Sequence, residues 1–426
     1  MSPPLRHRFR SAVMLVAVTT ASCSRVTEQP AAAASPYLFV WAGPHTDHAA
    51  PHDSSHATAS DFIAVLDVDP ASATYGRIIS TTAVDGAGAM AHHTEYSLST
   101  TRTLFANDYM KGRVALFDLS DPRAPRLTTT LDTVPGYRRP HTFARLPNGH
   151  VIVTLQFGDG LVEGDPGGIG ELDASGQLLR VASSADPAFP GARIRTYGLE
   201  VLPTIDRAIT TSSPMDDEVA ADVIQLWRLS DLKLLRTIPV PKVEGDSLHR
   251  YPFEIRALPD GRSAIMHSYY CGFYLLSDLE TDAPRIELVH AMRNPTRIGC
   301  SVPTLVGRYA VVPIAFGHRI VALDLTNPAK PVEVSALETD TTTFPHWSSA
   351  DAHSDRIVVT EQGSGVPRVF IVRLDSASGR LSWDERFKDA DSTTHGVSFN
   401  RASWPHGGVG KMMPHGAVFG RAADTP

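Results

Sequence analysis

Cysteine is scarce: three residues in 426, Cys23, Cys271 and Cys300, with no CxxC pair. Two cysteines in the body of the chain cannot build a disulfide scaffold, so stability has to come from an apolar core. Excess charge of either sign is also missing. The chain has 39 basic and 46 acidic side chains, a net charge of −7 and no Lys/Arg-rich run, which gives no support for nucleic-acid binding. There is no GxSxG and no P-loop; the glycine-rich stretch from Gly158 to Gly170 opens no helix and no lysine follows it. No amphipathic pattern longer than three helical turns appears, and beyond residue 22 no run is apolar enough to cross a membrane as a helix. With 42% apolar and 20% charged residues, disorder, collagen and coiled coil are excluded as well. What the chain does have is 31 glycines, 32 prolines and 18 histidines. That suits many short strands and turns, with histidine as the residue to follow.

Arg6, Arg8 and Arg10 precede an apolar run from Ser11 to Ala21, then small residues and Cys23. A charged segment, a short apolar segment and a processing site predict a signal peptide over residues 1–22 and export to the periplasm or cell surface. The Ala21-Ser22-Cys23 ending is of the lipoprotein kind, though Thr20 stands where leucine is usual, so lipid on Cys23 is one of two readings and the only membrane link expected. Removing residues 1–22, which hold three arginines and no acid, takes the net charge from −7 to −10. Residues 23–36 form a flexible tether, and residues 37–426 a single domain.

A local pattern recurs through that domain. A short apolar strand ends in an acidic turn, and a strand with basic or apolar residues follows. Asp67, Asp118, Asp173, Asp231, Asp278, Asp324 and Asp375 mark seven copies at intervals of 51, 55, 58, 47, 46 and 51 residues. A period near 50 in strand-rich units means a propeller or a related array. Each unit also carries an upstream hairpin, turned at Pro147-Asn148-Gly149 or Pro259-Asp260-Gly261. Four strands repeated seven times predict an all-β, seven-bladed propeller. Two stacked sandwiches would need no single period. The last segment, Met413–Gly420, has no partner of its own and is expected to close the ring in the blade of Tyr37–Gly43.

Aligning the innermost strand of each unit puts His93, His141, Tyr197, Pro252, Cys300, His346 and His415 in one phase. In a closed ring, His346, His415, His93 and His141 then occupy consecutive sectors at one end of the channel. Converging neutral imidazoles suit Cu, Zn, Fe or Ni. His92 is a fifth candidate; neighbours on a regular strand point to opposite faces, so only one of the pair should ligate unless the strand is irregular there. His45, His48, His52 and His56 suggest a solvated loop over the channel mouth, His406 a supporting group, and His150 and His353 exposed hairpin turns. Asp108, Asp159, Glu200, Glu254 and Glu361 are the carboxylates a propeller hydrolase would use, but the ring positions carry histidine instead. Cys271 and Cys300 fall in neighbouring units, read as opposite strand ends, so no disulfide is expected.

The stretch DFIAVLDVDPASATYGRII from Asp61, the Ala91-His92-His93-Thr94 motif and GRVALFDLSDPRAPRL from Gly112 carry a resemblance. So do PHTFARLPNGHVIVTLQFGD from Pro140, GGIGELD from Gly167, YPFEIRALPDG from Tyr251 and the Pro414-His415-Gly416 ending. Together they resemble the selenium-binding protein/methanethiol oxidase family, over about Tyr37 to Gly420. The resemblance implies a seven-bladed propeller and, as in bacterial members, a copper-dependent oxidase that uses dioxygen to turn methanethiol into formaldehyde, hydrogen sulfide and hydrogen peroxide. It places His92, His93 and His141 in the family's His-His and Pro-His-Thr motifs. Copper is implied by the resemblance; histidine content alone allows zinc equally. Glu95, Tyr197 and Glu254 are the candidate proton-handling residues. The chain departs from the family where EYSLSTTR after the His-His motif and YLFVWAG in the first strand contain no cysteine. The other reading left open is a non-catalytic selenium- or metal-binding scaffold at the cell surface.

Overall fold

The computed structural model of the chain describes residues 34–421, apart from 45–58, 99–101, 133, 216–218, 293–298, 364 and 391. The signal peptide, Cys23 and the histidines at 45, 48, 52 and 56 lie outside the described residues. The chain divides into a unit over Met1–Ala32 and a unit over Ala33–Pro426. The second is built of seven sheets of four strands, the last carrying a short extra strand, with a separate two-stranded ribbon at 400–411. Among the described residues the helical structure is one 3-10 turn, Pro203–Ile205.

Blade 1, from the axis outward, is Met413–Gly420, Tyr37–Gly43, Phe62–Asp67 and Ile78–Ala83. Blade 2 is Ala91–Thr94, Thr103–Asp108, Arg113–Asp118 and Arg126–Leu131, and blade 3 is Tyr137–Arg145, Val151–Gly158, Gly168–Leu172 and Leu178–Ser183. The innermost strands of blades 4 to 7 are Thr196–Leu202, Pro252–Ala257, Thr304–Val306 and Pro345–Ala350. The end at which the innermost strands begin is called the upper face below. As expected, the C-terminal strand closes blade 1, pairing antiparallel with Tyr37–Gly43 through Leu38↔Phe419 and Val40↔Ala417. This removes the open sheet edge that Tyr37–Gly43 would otherwise present.

Two features of the sequence explain why it folds this way. The inner strands are packed on both faces, so they are continuous apolar runs (FIAVLD, YAVVPI) rather than alternating ones. The described core accordingly falls into seven clusters, one at each junction between neighbouring blades. The recurring aspartates sit at the turn before the outermost strand and bind its backbone N–H groups. Asp118 accepts from Ser120 N at 2.8 Å, Asp173 from Ser175 and Gln177 N at 2.8 and 2.9 Å, and Asp324 from Thr326 N at 2.7 Å. The repeat was readable because most blades use this turn cap; in blade 5 Asp278 instead pairs with Arg285 at 2.6 Å.

The two body cysteines are disulfide-bonded, with Cα atoms 5.2 Å apart, which corrects the expectation of free thiols. The strand ends were misjudged. Cys271 follows the second strand of blade 5, which runs antiparallel to the first and therefore ends at the upper face. That is where blade 6 begins at Cys300, and Cys300 N donates to Tyr269 O at 3.1 Å. The bond ties blade 5 to blade 6.

Candidate metal centre

Five histidines, four of them buried and His346 half-buried, meet at the upper end of the channel. His415 comes from blade 1, His92 and His93 from blade 2, His141 from blade 3 and His346 from blade 7. The ring centroids of His92 lie 4.4 Å from His93, 4.8 Å from His141 and 4.0 Å from His415. His93 and His141 are 4.2 Å apart, and His346 and His415 4.6 Å. The four sectors picked out by repeat phase are thus adjacent.

His92 and His93 meet the exception to the rule that neighbours on a regular strand point to opposite faces. Both face the channel, stacked with an interplanar angle of 1°. The strand is irregular there, with a register shift between Ala91 and Thr94. The same irregularity falls on His141, between Pro140 and Phe143, on His346, between Pro345 and Trp347, and on the stretch before Ala417 that holds His415. A bulge inserts a residue and re-aims its side chain. It is what turns two consecutive imidazoles toward one point. Glycine at 416 allows the close approach this needs, since a Cβ there would come within 2.5 Å of Thr94 N.

Nitrogen atoms of His92, His93 and His415 lie within 4.8 Å of one another, a triad that could hold a metal ion. The chemistry of the donors fits one. Burial, reinforced by the neighbouring imidazoles, pushes His92 and His93 well below the ordinary histidine range, and burial pushes His141 down to about 3. All three are neutral at neutral pH, the ligating form. His92 Nδ1, His93 Nε2 and His141 Nε2 are buried without a hydrogen-bond partner. Each such nitrogen costs about 1–3 kcal/mol unless something binds it. Thr142 Oγ1 lies 2.9 Å from His141 Nδ1 and 3.3 Å from His93 Nδ1, so it fixes both rings with Nε2 free for a ligand. Asn107 accepts from His93 N at 2.7 Å and donates to Pro140 O, joining blades 2 and 3 at this point.

The candidate proton-handling residues separate. Tyr197 packs on His141, with centroids 3.9 Å apart. Glu254 is fully buried and accepts from Tyr96 Oη at 2.9 Å and Arg256 at 2.8 Å. Glu95 points elsewhere, its carboxylate gripped by Arg145 at 2.6 and 2.7 Å and capping Phe105 N at 3.0 Å. Burial raises its carboxyl against the pull of Arg145, but its work is structural. His406 is not beside the cluster either; it packs on Phe62 and bonds Thr81 Oγ1 at 2.9 Å. His353 is exposed, whereas His150 is half-buried and bonded to Glu171 at 2.7 Å. The rival carboxylates are taken up by backbone. Asp108 accepts from Ala89, Met90 and Lys111 N, Glu200 from Val201 and Ala257 N, and Glu361 from Gly363 and Arg368 N.

Sequence reading passed over Tyr96, Tyr109 and Arg256. Tyr109 is buried against His92 and His141, centroids 5.5 and 5.9 Å away. Tyr96 stacks on Trp347 at 4.7 Å, and Trp347 meets His93 edge-on at 5.1 Å. The only signal was position: Tyr96 follows the His-His motif by three residues, and Trp347 follows His346.

The fold and site define a seven-bladed propeller with a histidine cluster at one end of its channel. No family model matches the chain. It is 38% identical over 99 residues to a methanethiol oxidase of a Hyphomicrobium species, covering 22% of each chain. It is 28% identical over 173 residues to a methanethiol oxidase of Ruegeria pomeroyi, covering 39% of this chain and 35% of that one. The chain thus matches about a fifth and a third of the length of these relatives. In structure it is similar to a hypothetical selenium-binding protein from Sulfolobus tokodaii (TM-score 0.71, 16% identity, 91% and 94% of the two chains covered). It is also similar in fold to a periplasmic gluconolactonase of Pseudomonas aeruginosa (TM-score 0.61, 13% identity, 91% and 100% covered). The likeness read from the sequence, to the selenium-binding protein/methanethiol oxidase family, is met in these two methanethiol oxidases at partial coverage, and the structural neighbours show the shared propeller fold.

Proposed function

We propose that the chain is a copper-dependent oxidase of a small thiol, methanethiol or a close relative, with the metal held among His92, His93, His141, His346 and His415. The observation that carries this is the set of imidazoles converging from four blades, of which His92, His93 and His141 are buried, neutral and carry unpartnered nitrogens. Copper held there supplies a soft centre for the thiol sulfur and a route for electrons to dioxygen. The protein's part is to keep the imidazoles neutral by burial, to hold the rings of His93 and His141 through Thr142, and to keep bulk water from the sulfur. Tyr197 and the Tyr96–Glu254 pair are the groups placed to handle protons. The balanced reaction takes one thiol, one dioxygen and one water to formaldehyde, hydrogen sulfide and hydrogen peroxide.

Residues 1–22 act in this reading as an export signal, delivering the propeller to the periplasm or cell surface. The Cys271–Cys300 disulfide is at home in that oxidising setting. Mass spectrometry of the native protein should find it starting at or near Cys23, and an intact Met1 end would refute export.

The second reading is a metal- or selenium-binding scaffold, and the near-complete burial of His92, His93, His141 and His415, all at or below 1% exposure, favours it. Selenium on a thiolate has no free cysteine in the described fold. Metal analysis of the mature protein, followed by oxygen uptake with methanethiol, separates the two. Bound copper with thiol-dependent oxygen uptake and peroxide supports the oxidase; bound metal without uptake leaves the scaffold.

A further inference from the structure

Beneath the histidines the channel is filled by a layered group. Tyr96 lies parallel to Trp347, centroids 4.7 Å apart at 14°. The Arg256 guanidinium sits 3.7 Å from the Tyr96 ring centre. The phenol donates to Glu254 Oε2 at 2.9 Å, and the Tyr96 carbonyl accepts from Ser349 Oγ at 2.7 Å. Trp347 is held by its own Nε1–H to Ala417 O at 2.9 Å, and its ring touches His93 and His415 at 5.1 and 6.1 Å. An unbroken aromatic path therefore runs from the candidate ligands through Trp347 to Tyr96. It ends on a phenol whose proton already has an acceptor. Glu254 is fully buried and its Oε1 has no hydrogen-bond partner.

We infer that Tyr96 and Trp347 form a redox relay for the histidine site, storing the second oxidising equivalent of a two-electron reaction. The inference rests on the oxidase reading above. One thiol yields two electrons and two protons when it and water become formaldehyde and hydrogen sulfide, and dioxygen takes two of each to become hydrogen peroxide. A single copper ion cycling between its two common states moves one electron. The other is supplied when Tyr96 gives an electron through Trp347 to the metal site and its phenolic proton to the Glu254 carboxylate, leaving a neutral tyrosyl radical and a carboxylic acid. Electrons from the thiol later restore the phenol, and the proton returns. The arrangement explains why Glu254 must be there. The cation over the ring stabilises the reduced, electron-rich phenol, so an electron leaves readily only if the proton leaves with it.

The test uses mature protein reconstituted with copper, reduced, mixed with dioxygen-saturated buffer and freeze-quenched for electron paramagnetic resonance. The wild type should show a narrow organic-radical signal that ring-deuterated tyrosine sharpens. Tyr96→Phe should lose that signal, keep its copper content and its KM for methanethiol, and fall at least tenfold in kcat. Glu254→Gln, which keeps the stacked pair, should form the radical at least tenfold more slowly; it carries the test if the tyrosine variant does not fold. Wild-type protein that binds copper and consumes dioxygen with thiol but gives no radical, or a Tyr96→Phe protein with unchanged kcat, overturns the relay while the oxidase stands. Wild-type protein with no thiol-dependent oxygen uptake overturns the oxidase reading itself, and the relay with it.

Discussion

The histidines differ in what each can lose. His92 contributes to the triad whose nitrogens lie within 4.8 Å, so His92→Ala should lower metal affinity at least about 100-fold. Its circular dichroism should match the wild type, because the sheet packing does not need the ion. His353→Ala, at an exposed turn, should change neither, and metal analysis after dialysis checks both. The same burial makes the metal-free protein acid-sensitive. His141 titrates at about 3 and His267 at about 4, against 6.5 for an unburied ring, chiefly because burial penalises the charged form. Their pKa values are depressed in the fold, so stability is complete above about 6.5 and is lost as pH falls toward 3–4, where the unfolded chain binds protons the folded one refuses. Each ring should remove about 1.4 kcal/mol per pH unit across that window. Urea midpoints at pH 7 and pH 5 should show the fall, and a midpoint unchanged at pH 5 would contradict it.

At the level of strands and turns, the disulfide and the closing strand invite separate tests. Cys271 and Cys300 enclose 29 residues of sequence separation, for which loop closure suggests about 3–4 kcal/mol. Cys271→Ser with Cys300→Ser should lower the unfolding free energy by roughly that amount while any metal binding at the histidines is kept, since the bond joins blades 5 and 6 and the histidine cluster comes from blades 7, 1, 2 and 3. Deleting residues 413–426 should do more. It removes His415 and bares the edge of Tyr37–Gly43, and gel filtration should show aggregates in place of the wild-type peak. Irregularity on strands is also where sequence reading stopped. The phase of the repeat located four histidines because a propeller's innermost strands are equivalent. It could not show that each is locally bulged, so whether both His92 and His93 face the channel stayed open until the irregularity was seen. The disulfide was missed for a related reason: alternate strands of a blade end on alternate faces, and that was not applied to Cys271.

For the molecule as a whole, the architecture was legible because two features repeat from blade to blade: a carboxylate at the outer turn, and strands apolar on both faces to fill seven junctions. Tyr96, Trp347 and Arg256 were not, since they meet only after the ring closes, from blades distant in sequence. One contact at the lower face carries a consequence for how the protein is held. Ser35 donates through N and Oγ to Asp351 at 3.1 and 2.7 Å, and Arg356, fully buried, donates to Ser35 O at 2.6 Å and pairs with Asp351 at 2.8 Å. The start of the propeller is thereby clamped at the end of the channel opposite the histidines. Protein immobilised through residue 23 should take up metal as fast as protein in solution, whereas a support attached at Lys111, exposed on the upper face, should slow it. The clamp gives the propeller a polarity: a load applied to the chain at Ser35 is borne by the seam between blades 7 and 1, at the end of the channel away from the histidines.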